Sequence, residues 1–264
     1  MSICFNKVSK AFGSKEILKD FSFEVKKGEI LFILGKSGMG KSVTLKHIVG
    51  VLKPDSGSII VDGSNVSQMK EAELPQIRRK CGMVFQHPAL IDSLNIFENI
   101  AFGLKTPQFK AARKSPLTEN EIKNIALKNL KLVHLKEDIL YKYPPEISYG
   151  MQKRVSLART LAPGPSYLLF DEPTTGLDPI TTEAINKLIY ELSRELKVTS
   201  IVVSHDMGCA LKIADRILVL DQAKILALGS VDEIKHSKQN LIQEFLFEVL
   251  NQEENNTKVP SSCS

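Results

Sequence analysis

The sequence feature that most constrains the fold is a glycine-rich stretch between an apolar run and a helical pattern. The apolar run covers residues 30–34, the helical pattern covers residues 43–51, and between them the chain reads Gly35-Lys36-Ser37-Gly38-Met39-Gly40-Lys41-Ser42. This stretch matches GxxxxGK[ST] in the strand, turn and helix context that a phosphate-binding loop requires. Backbone N–H groups in such a turn, with the positive end of the helix dipole, can bind phosphate oxygens. We therefore predict that Gly35 to Val43 bind a nucleoside triphosphate.

Two side chains at the end of this stretch have the chemistry that a triphosphate needs. Lys41 supplies a mobile positive charge for the β- and γ-phosphates, and Ser42 offers a hydroxyl to Mg²⁺. An ordinary Gly/Ser loop could match the pattern by accident. The strand and helix patterns on either side make the functional interpretation the better one.

Length and composition are those of a folded, globular protein. The chain has 264 residues, of which 43% are hydrophobic, enough for the core of one large or two small domains. The formal charge of +5, from 35 basic and 30 acidic residues, suits a membrane face or nucleic acid only weakly. Cys4, Cys81, Cys209 and Cys263 are far apart and form no CxxC pair. Neither a zinc site nor a disulfide framework is predicted, and a reducing, cytosolic compartment fits best.

Neither a secretory signal nor a membrane span is predicted. The first seven residues lack a basic start followed by an apolar core. No run approaches the roughly 18 consecutive apolar residues of a transmembrane helix. We therefore expect any membrane association to go through a partner or the protein surface.

Short strand patterns precede the predicted phosphate-binding loop. Residues 3–5 are apolar and residues 21–25 alternate with period two, which favours a small antiparallel sheet. Between them, Phe12 is a lone aromatic residue in a predicted loop. It could fill a gap in the core or stack on a nucleobase, and the pattern leaves both interpretations open.

Polar side chains follow three further apolar runs at the point where each run ends. They are Gln86, on which a buried strand from Lys80 is predicted to end, the pair Asp171 and Glu172, and His205. Because the carboxyl ends of parallel strands form the ligand crevice of an α/β sheet, we expect these residues to converge. Asp171 would hold Mg²⁺, Glu172 would orient and deprotonate an attacking water, and His205 would sense the γ-phosphate. Gln86 could instead be a solvated loop amide.

Residues 88–161 are predicted to form a helical insertion. A capping box at Thr118 and Glu121 opens one helix. Another helix begins at Ser148, which is either only a helix cap or the start of a second anion site. The predicted fold is α/β of the P-loop NTPase (RecA-like) class, with a parallel-sheet core, an antiparallel β subdomain and an inserted α-helical subdomain.

The end of the chain is expected to lie outside this main domain, which covers residues 1–236. We predict a C-terminal helix at 237–250 and a disordered tail at 251–264, where apolar anchors are few. The helix has an apolar stripe that we expect to pack on its own domain, with partner docking as the alternative. The stripe consists of Leu241, Phe245, Leu246 and Val249.

Taken together, the order of these motifs resembles that of the ATP-binding subunit of ABC transporters, across almost the whole main domain. The resemblance implies that residues 1–236 are an ABC ATPase domain, with ATP and Mg²⁺ as ligands and hydrolysis coupled to transport. It implies that Phe12 stacks on adenine and that Gln86 contacts Mg²⁺ and couples it to the attacking water. It also gives His205 the role of a catalytic linchpin.

The same resemblance implies a homodimer in which two copies meet head to tail. Ser148 and Gly150 of one copy would bind the γ-phosphate held by Lys41 of the other, and Asp178 would lie at the contact between copies. ATP would close the dimer and hydrolysis would release it, which passes the change to integral membrane permease subunits. The expected location is peripheral, on the cytoplasmic face of a bacterial inner membrane, and no nucleic-acid partner is expected.

One segment departs from the family pattern. The family signature is LSGGQ, whereas this chain has the signature segment Ile147-Ser148-Tyr149-Gly150-Met151, with tyrosine in place of a glycine. Its methionine is similar to the Mla-type, MCE-associated phospholipid transport ATPases, as is the segment Asp178-Pro179-Ile180-Thr181. This likeness implies transport of phospholipid or another hydrophobic molecule, with an MCE-type lipid-binding protein and a small cytoplasmic regulator as further partners. The alternatives are an ABC ATPase for a small solute such as an amino acid and a non-transport regulator of the cell-division type.

Overall fold

The strands form two sheets. The structure, a computed structural model, describes residues 3–111, 113 and 115–257. The strands in these residues are β1 (Ile3–Phe12), β2 (Lys15–Val25), β3 (Ile30–Leu34), β4 (Ser56–Val61), β5 (Ser64–Asn65), β6 (Cys81–Val84), β7 (Tyr167–Asp171), β8 (Thr199–Ser204), β9 (Arg216–Asp221) and β10 (Lys224–Ser230). A four-stranded antiparallel sheet has the order β2-β1-β4-β5. A six-stranded sheet has the order β10-β9-β3-β8-β7-β6 and is parallel except for β10.

Helices connect most of the parallel strands. They are α1 (Lys41–Ile48), α2 (Pro75–Arg78), α3 (Ile96–Ala101), α4 (Pro107–Ala111), α5 (Glu119–Leu132), α6 (Tyr149–Leu161), α7 (Pro179–Glu195), α8 (Met207–Ile213), α9 (Val231–Lys235) and α10 (Asn240–Thr257), with short 3₁₀ turns at Val66–Gln68, Gly103–Lys105, Glu137–Ile139 and Pro144–Glu146. Helices α3 to α6 lie between β6 and β7, so the inserted helical subdomain is confirmed. No helix among the described residues is both long and apolar enough to cross a bilayer.

Strand β3 lies in the middle of the parallel sheet and separates two cores. Ile30, Phe32 and Leu34 contact the core that includes the helical insertion, α7 and α8. Leu31 and Ile33 contact the core shared with the antiparallel sheet and α1. Since successive strand residues point to opposite faces, a strand covered on both faces must be apolar throughout. This explains the uninterrupted apolar run before the phosphate-binding loop.

An aromatic cluster fixes the antiparallel sheet against the second core. The rings of Phe5 and Phe23 stack with centroids 4.7 Å apart, and Phe21 meets Phe5 edge-on at 5.8 Å. All three side chains are buried. The antiparallel sheet predicted from residues 3–5 and 21–25 is therefore confirmed.

Two predicted boundaries are wrong. The strand predicted to end on Gln86 is β6, which ends at Val84, so Gln86 lies in the following loop. Strand β6 is at the edge of the described sheet and its pairing with β7 stops at Phe170, so nothing extends it further. Phe12, expected in a loop, is the last residue of β1, where it pairs with Lys15.

The C-terminal helix is longer than predicted. Helix α10 spans Asn240–Thr257, so residues 251–257, expected in a disordered tail, are helical. Glutamine and glutamate are good helix formers, and no glycine or proline occurs before Pro260 to end the helix. Phe245 is buried in the first core, and the rest of the stripe packs against it, so the stripe packs on its own domain. The tail prediction for residues 258–264 lies outside the described residues.

Candidate nucleotide-binding and hydrolysis site

The phosphate-binding loop joins the end of β3 to the first turn of α1. Gly38 (φ 79°) and Gly40 (φ 94°) adopt the left-handed backbone conformation that favours glycine. At Gly35, a Cβ atom would lie 2.5 Å from the carbonyl oxygen of Leu220. The tight loop therefore requires glycine where the sequence pattern has it.

Lys41 is held inside this loop. Its side chain is 6% exposed, and Nζ donates to the carbonyl oxygens of Gly35 (2.7 Å) and Lys36 (3.3 Å). Met39 closes the turn by donating its N–H to the Lys36 carbonyl (3.4 Å). The Lys36 side chain is exposed and pairs with Glu244 of α10 (3.5 Å). Only the lysine at the end of the loop is thus directed inward.

Ser42 and Asp171 meet next to Lys41. Ser42 Oγ donates to Asp171 Oδ1 at 2.6 Å, which brings the first turn of α1 to the end of β7. A hydroxyl and a carboxylate are hard oxygen ligands of the kind that Mg²⁺ prefers. The two side chains therefore fit a magnesium ion shared with a nucleotide.

Three side chains contact the carboxylate of Glu172. His205 Nδ1 lies 2.8 Å from Glu172 Oε2, Thr175 Oγ1 donates to the same oxygen at 3.2 Å, and Lys41 Nζ lies 3.4 Å from Oε1. The backbone of Glu172 has φ 50°, which is uncommon for a residue other than glycine, and its N–H donates to the Val203 carbonyl (2.9 Å). Strained backbone of this kind is concentrated at functional sites.

A cavity of about 450 Å³ lies over these groups. It is lined by Phe12, Ile17, Ser37, Gly38, Gly40, Lys41, Ser42, Val43, Gln86, Glu172, Thr175 and His205. Phe12 is 49% exposed, so it does not fill a gap in the core. Glu172 after β7 and His205 after β8 therefore converge on the phosphate-binding loop, as does Phe12 at the end of β1. Gln86 reaches the cavity from the loop after β6.

Three predicted site residues belong neither to the phosphate-binding loop nor to the groups around this cavity. Ser148 caps α6 by accepting from the Met151 N–H (3.3 Å), and Gly150 follows in the first turn. Asp178 caps α7 by accepting from Thr181 N–H (3.0 Å) and Oγ1 (2.6 Å), which lowers the pKa of its carboxyl. A Cβ atom on Gly150 would lie 3.1 Å from the methyl group of Thr181. The starts of α6 and α7 thus form one shared surface away from the cavity.

Thr175 is a cavity residue that the sequence patterns did not single out. It lies in the turn between β7 and α7. Its spacing of three residues from Glu172 was the available signal, because a turn at this point brings such residues within hydrogen-bond distance.

These observations define the class of protein. A glycine-rich loop around a buried lysine, with a serine–aspartate pair and a glutamate–histidine pair at strand ends, has the geometry of a P-loop ATPase site. Residues 18–175, more than half of the chain, match the family model described as ABC transporter. The chain belongs to the ABC transporter family and contains the ATPase domain of that family, as the motif order predicted.

Three relatives are similar over most of this chain. The probable ribonucleotide transport ATP-binding protein mkl of Mycobacterium bovis is 37% identical over 93% of this chain and 66% of its own length. The intermembrane phospholipid transport system ATP-binding protein MlaF of Haemophilus influenzae is 38% identical over 89% of this chain and 86% of its own. The methionine import ATP-binding protein MetN of Carboxydothermus hydrogenoformans is 39% identical over 81% of this chain and 60% of its own length. The chain thus spans about two thirds or less of the mkl and MetN proteins.

A solved structure confirms the fold. A dimeric ATP-binding cassette in a post-hydrolysis state, bound to ADP and Pi, matches with a TM-score of 0.77 and 32% identity, over 87% of this chain and 98% of that chain. The predicted α/β architecture with a parallel core and a second, antiparallel sheet is therefore correct.

Proposed function

We propose that this chain is the ATP-hydrolysing subunit of a membrane transporter that moves phospholipid or another hydrophobic molecule across or between envelope membranes. The observation that carries the choice of cargo is the signature segment, residues 147–151, which ends in Met151 at the start of α6. Similarity to the phospholipid transport protein MlaF over 86% of its length supports the same choice. The proposed location is peripheral, on the cytoplasmic face of a bacterial inner membrane.

The proposed chemistry assigns one task to each group in the cavity. Lys41 neutralises phosphate charge, and Phe12 offers an aromatic face to the adenine at the cavity's entrance. Ser42, Asp171 and Gln86 would hold Mg²⁺, which supplies further neutralisation of phosphate charge when bound. Glu172 takes the proton of the attacking water, because its carboxylate is kept in place by donors on both sides.

The proposed working unit is a homodimer. Ser148, Gly150 and Asp178 lie on a surface away from the cavity, at the starts of α6 and α7. A helix start favours anions, so this surface suits a phosphate that another copy holds. The related cassette bound to ADP and Pi is dimeric, which supports the same arrangement here. Closure by ATP and release by hydrolysis would then drive the transporter.

A second cavity of about 450 Å³ is the proposed contact with the permease. It lies between β6, the helical insertion and the end of α6, and exposed Phe85 and Phe102 contribute apolar surface. Exposed apolar grooves of this kind mark protein interaction sites. Phe85 immediately precedes Gln86, so a segment bound here would contact the loop that reaches the hydrolysis site. An MCE-type lipid-binding protein and a small cytoplasmic regulator complete the proposed set of partners.

A small solute is the second candidate cargo. The methionine import protein MetN is as similar in sequence as the lipid-transport relative, at 39% identity. The two proposals share the ATPase chemistry and differ in what the permease moves.

The deciding experiment is purification of the complex from membranes, followed by identification of its partners and bound lipid. ATP-dependent transport is then measured in proteoliposomes that contain fluorescent phospholipid or radiolabelled methionine. We expect bound phospholipid, an MCE-type partner and ATP-dependent movement of the labelled lipid. ATP-dependent movement of methionine without movement of lipid would overturn the proposed cargo.

A further inference from the structure

Lys153 on α6 is a buried lysine that no motif accounts for. Its side chain is 3% exposed, and Nζ donates to the carbonyl oxygens of Gln86 and of Pro173, the latter at 3.0 Å. Burial lowers the pKa of Lys153. In the described part of the chain, no acidic side chain forms an ion pair with it. A charge in such a place is costly unless hydrogen bonds compensate it, so the two carbonyl groups are essential partners.

The two carbonyl groups belong to the backbone of the hydrolysis site. Gln86 lines the nucleotide cavity, and its carbonyl oxygen accepts a hydrogen bond from Lys153 of α6. Pro173 directly follows Glu172, the proposed base. Lys153 therefore joins the helical insertion to both loops whose side chains would meet the attacking water.

Tyr149 covers the same ammonium group. Its ring lies one helical turn before Lys153, with the centroid 5.7 Å from Nζ, which is the geometry of a cation–π contact. Its hydroxyl is 3.3 Å from His87 Nδ1, in the loop after β6. The backbone at Tyr149 is helical, so a tyrosine fits there without strain. Tyr149, which departs from the family signature, thus contacts both Lys153 and His87, whereas a glycine has no side chain to make either contact.

Helix α6 also contacts the part of the loop after β6 that follows His87. Arg159, almost three helical turns after Tyr149, donates to the carbonyl oxygens of Ala89 (2.7 Å) and Pro88 (3.2 Å). Ala89 has φ 50°, an uncommon conformation that these contacts stabilise. The loop from Gln86 to Ala89 is therefore anchored through its backbone carbonyl groups on one helix, at the edge of the nucleotide cavity.

We propose that Lys153, covered by Tyr149, is a positioning residue that fixes the Gln86 loop relative to the backbone behind Glu172. A movement of α6 is thereby transmitted to both residues at once. The inference rests on the roles proposed for Gln86 and Glu172 and is independent of the cargo. It predicts that Lys153 affects the rate of hydrolysis and leaves ATP binding by the phosphate loop unchanged.

The test compares turnover with ATP affinity in Lys153→Met, which keeps the length of the side chain and removes its charge and donors. We expect kcat to fall about tenfold, because small displacements of catalytic groups have large effects on rate. The Kd of ATP should stay within about twofold, since Lys41 and its loop are untouched. Lys128→Met, an exposed lysine of α5 in the same subdomain, is the matched control and should leave both quantities unchanged. An unchanged kcat in Lys153→Met, or equal losses in kcat and ATP affinity, would overturn the proposal.

Tyr149 provides a second test, and its single variants do not depend on folding of the Lys153 variant. Tyr149 is half-exposed, so Tyr149→Leu and Tyr149→Phe should both fold. We expect Tyr149→Leu to lower kcat about threefold by removing a cation–π contact, and Tyr149→Phe, which keeps the ring, to retain most of it. In the Lys153→Met background, Tyr149→Leu should have no further effect, because the ring acts through the ammonium group. Additive effects, or a full kcat in Tyr149→Leu, would contradict the proposal.

A Glu172→Gln variant separates this inference from the proposed mechanism. If Glu172→Gln abolishes turnover while Lys153→Met does not change it, the base is correctly assigned and the role of Lys153 is wrong. If Glu172→Gln keeps normal turnover, the assignment of the base fails, and the proposal for Lys153 falls with it.

Discussion

Two groups of site residues in this chain are built in different ways. In the cavity, Lys41, Glu172 and His205 come from separate elements and contact one another at 3.4 and 2.8 Å. At the starts of α6 and α7, Ser148 and Asp178 are exposed and bond mainly to their own helices. The first group is organised within one chain, whereas the second offers helix starts to the outside. We infer that one chain forms the side that holds and cleaves the triphosphate, and that a second copy supplies the other side.

The largest expected effect is on the cavity group. Glu172→Gln should lower ATP turnover about 1,000-fold, because it removes the general base, and should retain ATP in a closed dimer. Steady-state phosphate release and the amount of nucleotide that co-purifies are the measurements. Glu195→Gln, an exposed residue at the end of α7, is the control. Normal turnover in Glu172→Gln would show that another group takes the proton.

The next effect is on ATP binding. Lys41→Ala should weaken ATP binding about 100-fold, because a buried charge that contacts phosphate is lost. Lys36→Ala, in the same loop, should bind ATP normally, since only the backbone of Lys36 faces the loop interior. Equilibrium binding of a fluorescent ATP analogue measures both. Equal losses in the two variants would mean that the exposed lysine also contacts the nucleotide.

At the starts of α6 and α7, a substitution should lower turnover without weakening ATP binding by a single chain. Gly150→Val places a branched side chain at the start of α6, where we propose that the partner's phosphate binds. Turnover should fall about tenfold because the phosphate is displaced, while ATP binding by the isolated chain stays unchanged. Turnover and monomer binding, measured side by side, test this. A loss of ATP binding by the monomer would place Gly150 in the cavity group.

The smallest expected effect lies outside both groups. His47 on α1 is fully buried, and burial lowers its pKa below the ordinary value of 6.5. In the unfolded chain His47 becomes protonated near pH 6.5, whereas in the folded chain its protonation requires a lower pH. The free energy of unfolding therefore falls as pH decreases below about 6.5. His47→Gln should flatten this part of the dependence, and His236→Gln, an exposed histidine, should not. Urea unfolding between pH 5 and 7 provides the measurement, and an unchanged slope in His47→Gln would contradict the assignment.

The sequence predicts those parts of the site that depend on local pattern. The phosphate-binding loop follows from glycine spacing, and the convergence of Glu172 and His205 follows from the geometry of parallel strands. Gln86 reaches the same cavity from the loop after β6. Lys153 could not be predicted, because its carbonyl partners lie 67 and 20 residues away and are chosen by packing. The early end of β6 depends on its position at the sheet edge, which the strand's own residues do not encode.

The most direct test of the head-to-tail arrangement uses mixed dimers in the Glu172→Gln background, where nucleotide stays bound. One chain carries Lys41→Ala and the other carries Ser148→Arg, with different affinity tags for isolation of the mixed species. Each homodimer then lacks an intact site, whereas the mixed dimer keeps Lys41 of one chain opposite Ser148 of the other. We predict one trapped ATP per mixed dimer and none in either homodimer. If the mixed dimer also traps none, or if the Ser148→Arg homodimer traps as much as the parent, the site is not shared between two copies.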